Sequence, residues 1–203
     1  MWRRMNILDD RGGAAVEFAL VATLLFFVTF AVIEGSLAAW QWNAVEKAAQ
    51  AGVRLAAVAD PVATTLRAFN CKTDAIPLGR SCSDPGAATF ATITCSGATM
   101  SCTDGTFDAA AYDAIRDRMV RAYPFLQDQN IVIAYSDVRL GFAGRPNGAI
   151  PLITLRLTNI PFNFLILNAV ATLPLTGAGP IPAQIVMPDV FASLTAEDLA
   201  FEF

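Results

Sequence analysis

Residues 14–33 form an unbroken apolar run of twenty positions in which Glu17 is the only charge. At about 1.5 Å of rise per residue such a run makes a helix of about 30 Å, enough to cross the hydrocarbon of a bilayer. A carboxylate left unpaired there costs roughly 2.5–3.5 kcal/mol at mid-bilayer and less near the interface, so position 17 calls for a compensating partner. The helical pattern continues past the run, with no proline between Glu34 and Ala59. Asn43, Glu46, Lys47, Gln50 and Arg54 recur at helical spacing as one polar stripe. Ala44, Ala48, Gly52 and Ala56 form a second stripe of small residues four apart. Another backbone can lie close to that stripe, either from another chain or from the protein's own sheet. Leu37, Val45, Val53, Leu55 and Val58 supply apolar bulk on the remaining faces, and Trp40 and Trp42 follow the run where indole rings favour a membrane interface. Asp60-Pro61 stops the pattern, since the residue before proline avoids the α region. The spacing predicts one helix over 14–59, about 69 Å long, continuous through Gly35-Ser36, half in the membrane and half beyond it.

Residues 61–107 lose this period. They hold Pro77, Pro85, Gly79, Gly86, Gly97, Gly105 and many Ser and Thr, which predicts a loop with one short strand at 89–94. Residues 108–123 are helical by the spacing of Ala111, Ile115, Met119 and Ala122, and Pro124 closes that helix. The period then changes to 2. Ile131, Ile133, Tyr135 and Val138 predict a strand over 130–140, 141–148 is a turn containing Pro146-Asn147-Gly148, and 151–159 alternates as a second strand. The apolar stretch 160–175 is interrupted by Pro161, Asn163, Asn168 and Pro174, too short and too broken for a second span. A last strand is predicted at 182–194, and 195–203 is an acidic tail. The fold class is therefore α+β: a long N-terminal transmembrane-plus-stalk helix followed by a small antiparallel-sheet domain with a disulfide-stapled loop region. The corresponding divisions are 1–12, 13–60 and 61–203.

Four cysteines, Cys71, Cys82, Cys95 and Cys102, lie within one loop-like window at spacings that match no C-x2-C zinc pattern. They read as two disulfides whose pairing stays open among three possibilities. Disulfides need an oxidising compartment. The apolar run supplies one, because Arg3, Arg4 and Arg11 before it predict a cytoplasmic N-terminus and an exported remainder. Gly12 and Gly13 precede the apolar run, whereas the small-residue site of a secretory signal follows it. Cleavage is thus expected on the cytoplasmic side, leaving the run in the mature protein.

The apolar fraction is 55%, and 14 basic residues against 18 acidic ones give a net charge of −4 without a basic patch, so no nucleic-acid partner is expected. Histidine is absent, which removes His-based triads, the common general base and the usual zinc ligand. Asp108, Asp113 and Asp117 could be taken for an acid cluster. With Arg116, Arg118 and Arg121 beside them, they read instead as a solvated, ion-paired helix face. No enzyme, cofactor or metal is indicated.

A basic leader, a glycine, and an apolar helix with glutamate fifth from the second glycine resembles the type IV pilin superfamily. The stretch Gly13-Ala14-Ala15-Val16-Glu17-Phe18-Ala19-Leu20 is similar to the start of TadE-like proteins of its tight-adherence (Tad/Flp) branch. So is Ala48-Ala49-Gln50-Ala51-Gly52-Val53-Arg54, against an Ala-Ala-x-x-Gly-x-Arg pattern. The resemblance covers about the first sixty residues and implies a minor pseudopilin acting in pilus assembly. It implies a membrane prepilin peptidase cutting after Gly12, with Gly13–Ala14 as the alternative bond, which would leave Glu17 fourth. Glu17 and Phe18 would set filament register, Glu17 by pairing with the new N-terminus of a neighbouring subunit. Mature residue one would be glycine rather than the phenylalanine common in type IVa pilins, which leaves N-methylation open. The implied partners are the peptidase, other pilins and pseudopilins, the pilus assembly platform and inner-membrane lipid. The implied location is the bacterial inner membrane, single-pass, with a periplasmic C-terminal domain. The competing reading is an uncleaved single-pass anchor carrying a periplasmic binding domain.

Overall fold

A computed structural model of the chain describes residues 10–144, 149–166 and 184–196. The leader residues 1–9, the turn residues 145–148, the apolar stretch beyond 166 and the tail beyond 196 lie outside the described residues.

Helix α1 runs without interruption from Asp10 to Ala56, passing through Gly35-Ser36. Its hydroxyls carry their own partners: Thr23, Thr29 and Ser36 donate to the carbonyls of Ala19, Leu25 and Val32 at 2.7, 2.5 and 2.7 Å. A hydroxyl bonded back one turn exposes no unpaired donor, so these residues fit inside an apolar run. The helix starts four residues before the expected 14. It also ends three before the expected 59, although Ala57 and Ala59 still donate to carbonyls four residues back. Among the described residues the chain falls into two compact units. One takes the chain up to Gln41 together with Phe162–Ile185, and the other takes Trp42–Pro161 and the chain from Val186.

The larger unit is built on a five-stranded antiparallel sheet. Its strands are β1 (Ile93–Ser96), β2 (Ser101–Cys102), β3 (Ile131–Gly141), β4 (Ala149–Leu157) and β7 (Val190–Thr195), in the order β2-β1-β3-β4-β7. Period-2 alternation turns Ile131, Ile133 and Tyr135 of β3 and Ile153, Leu155 and Leu157 of β4 to the same covered face, each at most 1% exposed. β3 pairs with β4 from Ile131↔Leu157 to Asp137↔Pro151, then shifts register before Leu140↔Ile150. At that bulge Arg139 takes a φ of 58°, and its N–H donates to the Asp137 carboxylate at 2.7 Å.

Besides the end of α1 and a 3-10 turn at Asp128–Asn130, the unit contains α2 (Thr65–Ala68) and α3 (Ala109–Val120). Asp108 caps α3 by accepting from the Ala111 N–H at 3.0 Å, and it also pairs with Arg67 at 2.5 Å. The Ala111 N–H first, and the Arg67 guanidinium after it, hold the Asp108 carboxyl below the usual carboxylate range. Tyr112, Ile115 and Met119 of α3 are fully buried.

The loop region departs from expectation in detail. The short strand lies at 93–96 rather than 89–94, because it pairs with β3 (Ile93↔Tyr135) and is doubled by β2, which composition alone does not reveal. The strand expected over 182–194 is two, β6 (Gln184–Val186) and β7, separated by Met187-Pro188-Asp189. Pro188 has no N–H for a ladder, and the two pieces pair with different strands: β6 with β5 (Pro161–Asn163), β7 with β4.

Tyr135 ties the sheet to the chain that leaves α1. Its fully buried hydroxyl accepts the N–H of the equally buried Val62 at 3.1 Å. Burial pushes the phenol up to about 12, outweighing the opposing effect of the Val62 N–H. Tyr135→Phe is expected to lower stability by about 1–3 kcal/mol in a urea titration, because Val62 N–H is left buried without an acceptor. Between pH 10 and 12 the unfolded chain gives up a proton that folded Tyr135 keeps, so this group makes stability fall by about 1.4 kcal/mol per pH unit across that window. The variant is expected to show a shallower alkaline decline than the wild type.

Candidate functional site

The candidate site is α1 itself, whose two ends present different chemistry. Over residues 12–33 nearly every side chain is exposed, including Val16 at 60% and Phe18 at 74%. Among the described residues α1 is the candidate membrane span, long and apolar enough to cross a bilayer. Glu17 is exposed among these apolar side chains and has no hydrogen bond or ion pair among the described residues. A side-chain carbon built at Gly12 or Gly13 would meet nothing within 4 Å. The fold therefore has no steric need for glycine at either position.

Gly52 is the opposite case. A Cβ there would clash with the Met119 sulfur and come within 2.7 Å of Leu155 Cδ1, so helix α1, helix α3 and strand β4 meet at this residue. Ala48 and Ala56 are fully buried, and Ala44 is 9% exposed. The small-residue stripe is covered by the chain's own domain, with Val45 and Val53 buried beside it. The polar stripe faces outward: Asn43, Lys47, Gln50 and Arg54 are exposed, and Glu46 accepts from Trp42 Nε1 at 2.9 Å. Beside it, Lys47, Gln50, Arg54, Val58 and Arg118 border an open groove of about 560 Å³.

The cysteines pair as Cys71–Cys82 and Cys95–Cys102. The first lies in a small satellite core with Ile76 and Ala143. The second joins directly opposed residues of β1 and β2. The three aspartates do not converge as a site. Asp108 is a helix cap, Arg116 bridges to Asp117 and Asp128, and no group of three metal-ligating residues occurs among the described residues.

Glu34 is the residue that sequence reasoning passed over. It is 7% exposed, and its Oε1 accepts the backbone N–H of Ile166 at 2.5 Å, 132 positions away. The available signal was a single acid closing the apolar run, which marks a boundary without naming its partner.

An exposed apolar helix with one carboxylate near its start, long and apolar enough to cross a membrane, precedes an antiparallel-sheet domain, an arrangement consistent with a membrane-anchored, pilin-like protein. Residues 12–54 match the family model described as TadE-like protein. Over these residues, which include Glu17, Phe18 and the Ala48–Arg54 pattern, the chain is similar to that family, a structural one associated with Tad pilus function. No curated protein and no solved structure matches the chain.

The contrast between the glycines yields a test. Gly52→Leu overpacks the junction and is expected to cost about 1–3 kcal/mol in thermal or denaturant unfolding. Gly12→Ala and Gly13→Ala are expected to leave unfolding unchanged. Combining Gly52→Leu with Met119→Ala should cost less than the sum of the single changes, because the second vacates the space the first needs.

Proposed function

We propose that this protein is a minor pseudopilin of Tad-type pilus biogenesis, matured by a prepilin peptidase that cuts between Gly12 and Gly13 and acting by assembly rather than catalysis. The observation that carries the reading is Glu17, a lone exposed carboxylate on an apolar helix, fifth in the chain when Gly13 becomes residue one. Phe18 follows it as the aromatic sixth. In a bilayer this carboxylate needs a cation, and cleavage creates one: the α-amino group at Gly13 of a neighbouring subunit. Two unit charges 4 Å apart attract by about 4 kcal/mol at an effective dielectric of about 20, enough to favour one axial register between helices.

The fold has no steric need for glycine at 12 and 13, so a requirement for glycine there would come from an enzyme that binds this backbone closely. Arg3, Arg4 and Arg11 hold the leader in the cytoplasm, and the domain with its two disulfides lies on the oxidising side of the bacterial inner membrane. There it meets other pilins or pseudopilins and the assembly platform.

Co-expression with a prepilin peptidase tests the reading by electrophoretic mobility. The wild-type chain is expected to shorten, and Gly12→Val to keep its leader while unfolding like the wild type. A wild-type chain that never shortens, or a Gly12→Val chain that shortens equally, would instead support an uncleaved anchor with a periplasmic binding domain.

A further inference from the structure

Between Gly12 and Asn43, Glu34 is the one residue the fold buries. The backbone N–H of Ile166 donates to its carboxylate, so the segment running from Phe162 to Ile166 lies against α1 at the level of Glu34. That level is informative. The apolar run 14–33 spans about 30 Å, which places Glu34 where hydrocarbon gives way to headgroups. The segment tied to it carries apolar side chains to the same depth. Leu165 is 72% exposed, Phe164 is half-buried edge-on to Phe162 with ring centroids 5.1 Å apart, and Ile185 of β6 is 46% exposed. In sequence the stretch continues as Leu167-Asn168-Ala169-Val170, apolar except for Asn168.

We propose that Phe164, Leu165 and Ile185 form an interfacial foot whose partner is the lipid of the bilayer that α1 crosses. Apolar side chains on a polar backbone favour the boundary between headgroups and acyl chains. Irregular backbone there must have its polar groups satisfied, and the Glu34 carboxylate does this for Ile166. Glu34 thus acts as a clamp that holds the foot at the membrane surface. The inference rests on α1 crossing the membrane, as proposed above.

The test uses full-length protein in phosphatidylcholine–phosphatidylglycerol bilayers without reductant, so that the two disulfides stay closed. Nitroxide labels are placed singly at Leu165→Cys, at Phe26→Cys within the run, and at the exposed Asp104→Cys, and collisions with oxygen and a water-soluble nickel chelate are compared. The oxygen-to-nickel ratio at Leu165 is expected to lie severalfold above that at Asp104 and below that at Phe26. Adding Glu34→Ala should move the Leu165 ratio toward the Asp104 value and leave Phe26 unchanged.

A Leu165 ratio equal to that of Asp104, with Phe26 in lipid, overturns the foot and leaves the span standing. A Phe26 label in water overturns the span, and the foot with it. A Leu165 label shielded from both reagents means that protein covers it, as a second copy would, and also overturns the foot. An unchanged Leu165 ratio in Glu34→Ala removes the clamp.

Discussion

The close approach of helix α1 to Met119 and Leu155 at Gly52 is the contact on which the architecture depends. A single helix from Asp10 to Ala56 has to serve surroundings of opposite kind, and small residues make this feasible. Where the helix is embedded in the chain's own fold, Ala48, Gly52 and Ala56 bring its backbone against α3 and β4, and Val45 and Val53 supply the apolar volume. Where it is not, Val16, Phe18, Leu20, Phe26 and Phe27 stand exposed, a surface that water disfavours and lipid accepts. The helical pattern itself runs through Gly35-Ser36 without a break.

Glycine carries different meanings along this helix. At Gly52 its lack of a side chain is a packing requirement visible in the fold. At Gly12 and Gly13 the fold imposes no such requirement, so a demand for glycine there points outward, to a process acting on the chain rather than to the chain's stability. Acidic residues divide in the same way. Glu34 is buried against Ile166, Asp108 caps α3, and Glu17 alone faces outward from the apolar run with no partner among the described residues.

Much of this was legible in sequence because it rests on local period. The long helix, α3 and the two central strands follow from spacing, and the alternation of Ile131, Ile133 and Tyr135 against Ile153, Leu155 and Leu157 identifies the covered sheet face. What was not legible depends on distant pairing. The strand near 89–94 lies a few residues further on because Ile93 pairs with Tyr135, and the last strand divides at Pro188 because its halves join different sheets. The disulfide pairing follows from the hairpin that sets Cys95 opposite Cys102. The small-residue stripe was visible, but its occupant was not, since an alanine face fits another chain as well as its own sheet. Glu34 was a boundary marker in sequence and became a binding group only once Ile166 was placed beside it.

The measurement closest to the central claim is the mass of the N-terminal peptide of the protein extracted from membranes of cells with an active prepilin peptidase. The account predicts a chain beginning at Gly13, with Glu17 as its fifth residue. A chain beginning at Ala14 would contradict the register assigned to Glu17, and one retaining residues before Gly12 would contradict assembly through a processed N-terminus.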